Sequence, residues 1–268
     1  MIRNHSFNSY RVPLVVVVLL LLFAGTRGGG CSKDPANPLN APVKVTFGTR
    51  RTELIRPIEL PAPTQRLGTA VAILIDTSGS MAQSVADGSG RQRPKNEIAR
   101  TALARIIEVS EKWHAQHRDS NLFLGVTGFS GRCSTILPMA PFDANQAQET
   151  VKKIGRPSGG TAIGLAIEEG FKSLYATGCI RKHLVCITDG QNTVATPPDL
   201  IARQLYSQTD GAVEIHFVAF DTSANKFAFL NEVNGSTVEA ANGAELEARL
   251  IELYEKRILV EAMPAEKQ

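Results

Sequence analysis

The sequence predicts an α/β protein with a doubly wound, mainly parallel sheet flanked by helices on both faces. Two observations lead to this prediction. Apolar runs alternate with segments in which apolar residues recur every three or four positions, and two of these runs end in an aspartate. Continuous apolar runs are typical of strands buried on both faces of a parallel sheet. With 43% apolar and 21% charged residues among 268, the chain can bury one sizeable core.

The first βα unit is the clearest. The run from Ala70 to Ile75 is apolar throughout and ends in Asp76, which predicts a central strand. A helix of about twenty residues follows Pro94, with an apolar stripe from Ile98 to Trp113. This unit sets the pattern for the rest of the chain.

Strands and helices continue to alternate after this unit. The further predicted strands are Leu122 to Phe129, with Thr135 to Leu137 turning back beside it, then His183 to Thr188, Val213 to Phe220 and Thr237 to Ala240. The further predicted helices are Asn145 to Ile154, Thr161 to Tyr175, Pro198 to Ser207, Phe227 to Val233, and a last one reaching about Ile258. Asn242 followed by Glu245 forms a typical start for that last helix.

The amino-terminal segment predicts export. Arg3 and Arg11 both precede an uncharged run of 13 residues from Val12 to Ala24. A helix of that length rises about 20 Å, which is less than the roughly 30 Å of a bilayer core. Residues 1–30 are therefore predicted to be a signal peptide.

Three glycines precede Cys31, and this segment resembles the cleavage site of bacterial lipoproteins. The resemblance implies that Cys31 becomes the lipidated first residue and anchors the protein to a membrane, at the outer membrane or the cell surface. The alternatives are simple secretion and an uncleaved anchor.

The organisation after the leader is simple. Residues 31–66 are rich in proline and are predicted to be a tether, in which Val43 to Phe47 and Glu53 to Leu60 could pair as two short strands. The folded domain is expected over residues 67–262, followed by a short tail at 263–268.

Charge argues against nucleic acid as a partner. The chain has 29 Lys and Arg against 26 Asp and Glu, but the leader holds Arg3, Arg11 and Arg27 and no acid. Without the leader the two signs balance, so the basic patch expected of a nucleic-acid binder is missing.

The remaining cysteines have no metal-ligand spacing. Cys186 lies in an apolar run and is predicted to be a small buried side chain. Cys133 and Cys179 could be paired or free. His114 and His117 are three residues apart on a predicted helix, but no third ligand is placed near them, so a zinc site there is not expected.

Polar residues gather where the predicted strands end. Asp76, Ser78 and Ser80 follow the first strand, Thr161 opens a helix after two glycines, and Asp189 follows a later apolar strand. In such a sheet the carboxyl ends of the strands form the binding edge. Two carboxylates and three hydroxyls are a hard-oxygen set that suits Mg²⁺ or Mn²⁺.

These three motifs, Asp-x-Ser-x-Ser, the glycine-preceded Thr and Thr-Asp-Gly, resemble the metal-ion-dependent adhesion site of von Willebrand factor A domains, which have a Rossmann-like fold. The resemblance covers about Gln65 to Ala262, including the element order.

The resemblance implies a role for each position. Ser78 and Ser80 would be direct hydroxyl ligands, and Asp76 and Asp189 would act directly or through water. Thr161 would join the metal when a ligand is bound, and a carboxylate from a partner would fill the open coordination position.

The function expected from this set is divalent-cation-dependent binding of a protein, or another ligand that presents a carboxylate, at the bacterial cell envelope. No catalytic base accompanies the set, so no enzymatic activity is expected. Two alternatives stay open: a docking component of an envelope complex in which the metal only stabilises the fold, and a metal-dependent hydrolase.

A polar loop, residues 82–93, directly follows Ser80 and must lie near the site. Its Arg91 and Arg93 could select a partner by reaching a second acidic group. The loop could equally be an insertion of no functional consequence.

Overall fold

The computed structural model describes residues 56–262. A six-stranded sheet forms its centre. The strands of this sheet are β1 Arg66–Asp76, β4 Leu122–Phe129, β5 Cys133–Pro141, β6 Cys179–Thr188, β7 Glu214–Phe220 and β8 Gly235–Ala240, while β2 Ser84–Ala86 and β3 Gln92–Pro94 form a separate hairpin. The strand order in the sheet is β5-β4-β1-β6-β7-β8, and all its neighbouring strands are parallel except β5, which runs antiparallel beside β4 at one edge.

Helices cover both faces of this sheet, and the predicted doubly wound α/β fold is confirmed. The helices are α1 Lys95–Gln116, α2 Ala144–Lys153, α3 Ile163–Ala176, α4 Pro198–Gln208 and α5 Gly243–Leu253. A π-helical turn, Tyr254–Leu259, extends α5 and leads to a last turn at Val260–Ala262. Short 3₁₀ segments occur at Gly79–Ala82 and Ala224–Glu232.

The central strand β1 shows why its sequence is apolar throughout. Its side chains alternate between two cores. Val71 and Ile73 pack in a core with residues of α1, α2 and α5. Ala72 and Leu74 pack in a second core with residues of α3 and α4. Both faces are thus removed from water, which is the condition that a continuous apolar run predicts.

Two predicted elements differ from the structure. The predicted helix Phe227 to Val233 is a 3₁₀ segment, broken at Phe227, whose φ is −114°. The predicted helix start at Thr161 is wrong, and the helix begins at Ile163, because Ala162 has a non-helical backbone with φ −107° and ψ 66°. Loop 82–93 also contains the β2–β3 hairpin.

The segment before β1 docks on the domain. Residues 56–60, the described part of the predicted strand Glu53 to Leu60, do not form a strand. Instead, Ile58 is 3% exposed and lies in the core beside α3 and α4. The side-chain amide of Gln208 donates to the Ile58 carbonyl, and Arg56 contacts both carboxylate oxygens of Glu168 at 2.6 and 2.8 Å.

Several predictions fall on residues 1–55 and 263–268, outside the described residues. These are the signal peptide, lipidation at Cys31, the strand Val43 to Phe47 and the tail. Among residues 56–262, the helices are too short or too polar to cross a bilayer.

The docked segment gives a first prediction. Replacing Ile58 with alanine should lower the free energy of unfolding by about 2–4 kcal/mol, because a buried side chain is lost and a cavity remains. Chemical denaturation followed by circular dichroism measures this change. Leu67→Ala is the matched control, since Leu67 is 78% exposed and should change stability by less than about 0.5 kcal/mol. Equal stability of Ile58→Ala and wild type would contradict the docking.

The three described cysteines are free thiols. Burial, with the nearby charges of Glu169 and Glu168, raises the pKa of Cys133 to about 11. Burial also raises the pKa of Cys179 and Cys186. The question of pairing left open by the sequence is answered in favour of unpaired Cys133 and Cys179.

A second prediction concerns these thiols. At pH 8, Cys133 of the native protein should be alkylated about a hundredfold more slowly than a solvent-exposed cysteine of ordinary pKa, because only the thiolate reacts. For the same reason the alkylation rate of Cys133 should rise about tenfold per pH unit. Mass spectrometry of alkylated peptides locates the modified residue, and urea-unfolded protein is the control. A disulfide between Cys133 and Cys179, or alkylation at the unfolded rate, would contradict it.

Candidate metal site at the carboxyl edge of the sheet

The candidate site begins with the pairing of the two central strands. Strands β1 and β6 are parallel neighbours, with Ile75 opposite Ile187. Asp76 ends β1, and Asp189 directly follows the last residue of β6. The parallel register therefore brings two carboxylates from distant parts of the chain to one edge of the sheet.

Asp76 is fully buried and held by neutral donors. Its carboxylate accepts hydrogen bonds from the Ser78 N–H at 2.8 Å and from the Thr188 hydroxyl at 2.6 Å. Burial raises the pKa of Asp76, against these hydrogen bonds and with a contribution from the charge of Asp189. In the described part of the chain, Asp76 has no salt bridge. A buried carboxylate of this kind favours a cation ligand.

The two serine hydroxyls connect the loop after β1 to Asp189. Ser78 Oγ and Ser80 Oγ are 3.1 Å apart, and Ser80 donates to Asp189 Oδ1 at 2.7 Å. Asp76, Ser78, Ser80 and Asp189 thus form one continuous cluster of oxygen atoms. The five residues predicted from sequence share this edge, although their metal binding remains a prediction.

Thr161 reaches the same edge on a glycine-rich loop. The Gly79 N–H donates to the Gly159 carbonyl at 3.0 Å, which fastens this loop to the loop after β1. Gly159 has a φ of +77°, a conformation that favours glycine. A Cβ placed on Gly190 would lie 3.8 Å from Thr161 Oγ1 and 3.9 Å from Ser80 Oγ, so the two hydroxyls flank one point.

A lysine that sequence reasoning missed also enters the site. Lys95 is the first residue of α1 and is buried, and its ammonium lies 3.0 Å from Asp189 Oδ2 and 2.8 Å from Asp221 Oδ2. Gln83 adds a third contact at 3.2 Å. Burial lowers the pKa of Lys95, but hydrogen bonds to Asp221 and Asp189 outweigh it and raise the pKa overall.

One sequence signal could have identified this lysine. Positive charge is unfavourable at the amino terminus of a helix, where the helix dipole is itself positive. Lys95 stands there directly after Pro94, so a compensating carboxylate was to be expected nearby.

The chemistry of the set fits a hard divalent cation. The cluster offers carboxylate and hydroxyl oxygens, which Mg²⁺ and Mn²⁺ prefer. Lys95 neutralises part of the charge on Asp189, whereas Asp76 has only neutral donors. The unbalanced negative charge therefore lies on the Asp76 side of the cluster.

The two loop arginines are engaged within and beside the hairpin. Arg91 donates to the Ser89 hydroxyl at 2.9 Å and lies 3.8 Å from Asp87. Arg93 lies 3.8 Å from Asp87 and 3.7 Å from Glu97 at the start of α1. Arg91 remains 80% exposed, so its side chain is accessible to a partner.

Comparison with known proteins supports the fold, and the family match covers part of the chain. Residues 71–191 match the family model described as von Willebrand factor type A domain, which spans the motifs that end at Asp189. The six-stranded, mainly parallel sheet between two helical layers agrees with that fold. The described domain therefore has a von Willebrand factor A fold. No curated protein matches the chain in sequence.

Solved structures resemble the chain in fold. The PilB minor pilin from Streptococcus sanguinis superposes with a TM-score of 0.60 at 16% identity, over 75% of this chain and 63% of the pilin chain. An aerotolerance-related membrane protein from Bacteroides fragilis superposes with a TM-score of 0.54 at 20% identity, over 70% of this chain and 100% of the Bacteroides chain. Proximal thread matrix protein 1 from the mussel byssus, described with a zinc-occupied metal-ion-dependent adhesion site, gives a TM-score of 0.54 at 15% identity. The superposition covers 70% of this chain and 47% of the mussel chain.

The buried lysine leads to a third prediction. Lys95→Met should lower the free energy of unfolding in EDTA by about 3 kcal/mol, because Asp189 then has no cationic partner. A divalent cation should restore part of this loss. Thermal and urea unfolding with and without Mg²⁺ measure both effects. Lys112→Met, at an exposed lysine of the same helix, is the control and should be near neutral. Wild-type stability of Lys95→Met in EDTA would contradict the prediction.

Proposed function

We propose that this chain is a divalent-cation-dependent protein-binding domain of the bacterial cell envelope. The observation that carries the proposal is the fully buried Asp76, which has only neutral hydrogen-bond donors within an oxygen cluster at the binding edge of the sheet. The match of residues 71–191 to the von Willebrand factor type A family model supports it independently.

The residues of the cluster would contribute different ligand atoms to the cation. Ser78 and Ser80 would offer hydroxyl oxygens to Mg²⁺ or Mn²⁺, and Asp76 and Asp189 would offer carboxylate oxygens or hold water. Thr161 would contribute its hydroxyl when a partner is engaged. The bound cation would supply a partly neutralised positive centre that attracts a carboxylate from the partner. We propose no catalysis, since the set contains no base besides the two carboxylates assigned to the cation.

The proposed location rests on the amino-terminal segment. A basic leader, an apolar run of 13 residues and Cys31 after three glycines together support export and a lipid anchor in a membrane. Two proteins of similar fold are described as a minor pilin and a membrane protein, which is consistent with an envelope location.

A second candidate function is favoured by Lys95. Its ammonium already neutralises Asp189, so the domain has an internal cation at this edge. The fold could then act as a docking block in an envelope assembly, with a bound metal contributing only local stability. The two functions differ in one respect: chelation abolishes partner binding in the first and leaves it intact in the second.

A fourth prediction tests the cation site. At 100 times its Kd, Mg²⁺ or Mn²⁺ should stabilise the full-length chain by about 2.7 kcal/mol, and Asp76→Ala should remove this effect. Asp119→Ala, an exposed aspartate outside the cluster, should keep it. Differential scanning calorimetry in EDTA, Ca²⁺, Mg²⁺ and Mn²⁺ measures the shifts. A shift retained in Asp76→Ala, or none at high metal concentration, would reject the site.

The same variants distinguish the two functions. Envelope proteins captured by the immobilised chain in Mg²⁺ should elute in EDTA and should not bind Asp76→Ala. Capture that persists in EDTA and in Asp76→Ala would favour the docking block.

A further inference from the structure

Two buried histidines lie on one face of the sheet, near the amino end of β7. His183 of β6 is opposite Glu214 of β7 in the parallel register, and His216 follows two residues later. Because side chains alternate along a strand, Glu214 and His216 point to the same face, and His183 lies beside them on β6. Both histidines are buried, and Glu214 is 28% exposed.

Each imidazole has one nitrogen near Glu214 and the other near a second polar side chain. His216 Nδ1 lies 2.9 Å from the Ser236 hydroxyl, and His216 Nε2 lies 3.4 Å from Glu214 Oε2. His183 Nε2 lies 3.2 Å from Glu261 Oε2, and His183 Nδ1 lies 3.9 Å from Glu214 Oε2. One ligand atom from each of His183, Glu214 and His216 can be chosen so that all three lie within 4.8 Å.

The nitrogens that face Glu214 are not satisfied by protein groups. Among the described residues, His183 Nδ1 and His216 Nε2 are buried and make no hydrogen bond, and the same holds for His183 Nε2. Burial lowers the pKa of each imidazole to about 4, assisted in both cases by the charge of Arg257. Both rings are therefore neutral near pH 7, which is the form that binds metal. A buried nitrogen without a protein partner beside a carboxylate is a position that a cation, a proton or a water molecule can fill.

We propose that His183 Nδ1, His216 Nε2 and a carboxylate oxygen of Glu214 form a three-ligand site for Zn²⁺ or a similar d-block cation, separate from the oxygen cluster at the other edge of the sheet. Two imidazoles and one carboxylate are a set that zinc accepts, with water in the fourth position. Ligand atoms around tetrahedral zinc are about 3.4 Å apart. The 3.4 Å between His216 Nε2 and Glu214 Oε2 agrees with this spacing. The 3.9 Å from Glu214 Oε2 to His183 Nδ1 is longer, and the three ligand atoms, which lie within 4.8 Å of one another, would move closer together on binding.

The surroundings support the assignment. The Ser236 hydroxyl, 2.9 Å from His216 Nδ1, takes the place of the hydrogen-bond partner that fixes the orientation of a metal-binding histidine. Glu261 lies 3.2 Å from His183 Nε2 but makes no hydrogen bond with it. Glu214 and Glu261 provide two carboxylates, and the opposing charges are those of Arg257, which acts on both rings, and Arg181, which acts on His183. Since Glu261 follows the π-helical turn after α5, a bound cation would connect the carboxy-terminal helix to β6 and β7.

Zinc titration of the metal-free full-length chain tests the proposal. Competition with a chromophoric chelator measures affinity, and Co²⁺ reports tetrahedral coordination through its visible absorption. We expect His216→Gln and Glu214→Gln each to lose one equivalent of bound Zn²⁺ and the Co²⁺ bands. Ser236→Ala should weaken binding by about 10–100-fold because it only orients His216. Circular dichroism checks folding, and Glu214→Gln, at a partly exposed position of nearly equal shape, keeps the test valid if His216→Gln unfolds.

Two matched variants separate this site from others. His117→Gln changes the histidine that follows the last residue of α1 and stacks on Trp113, outside the cluster, and this variant should bind zinc as wild type does. Asp189→Ala removes one carboxylate of the oxygen cluster. This variant should still bind the one equivalent of Zn²⁺ that Glu214→Gln loses. The proposal is overturned if wild type binds no zinc, if both cluster variants bind as wild type, or if only Asp189→Ala loses the metal. Failure here leaves the Mg²⁺ or Mn²⁺ site untouched.

Discussion

The parallel pairing of β1 with β6 at the centre of the sheet is the constraint on which the binding edge depends. It places Asp76 and Asp189 close together and out of water, where an ionised carboxylate costs several kcal/mol. The surrounding polar groups compensate for this cost. Thr188 and the Ser78 N–H donate to Asp76, and Ser80 and Lys95 donate to Asp189. The loops at this edge are therefore organised around two charges rather than around an apolar core.

The two carboxylates are not equivalent. Lys95 gives Asp189 a fixed cation from the start of α1, and it shares that cation with the more exposed Asp221. Asp76 has neutral donors only. Lys95 therefore has two opposing effects: it stabilises the folded domain without metal, and it reduces the negative charge available to a divalent cation. Under the proposed function, a divalent cation at such a site would be held less tightly but would keep more positive charge to attract an acidic partner.

Much of this fold could be predicted from sequence because burial on both faces makes the central strands apolar throughout. Ala70 to Ile75 and His183 to Thr188 are recognisable for that reason. That the five predicted ligand residues would share one place followed from a rule of topology, since parallel strands end at one edge. Lys95 and the histidine cluster depend on contacts between distant elements. His183 and His216 are 33 positions apart and become neighbours only through the β6–β7 register.

The two candidate sites lie at different levels of the sheet and differ in chemistry. His183 is in the middle of β6, and Asp189 is the residue that follows the end of this strand. The six residues from His183 to Asp189 correspond to about 20 Å of extended backbone, so the two sites share no ligand. The oxygen cluster would favour Mg²⁺ or Mn²⁺, and the imidazole cluster would favour Zn²⁺. On the two proposals together, one cation would face a partner and the other would connect the carboxy-terminal helix to β6 and β7.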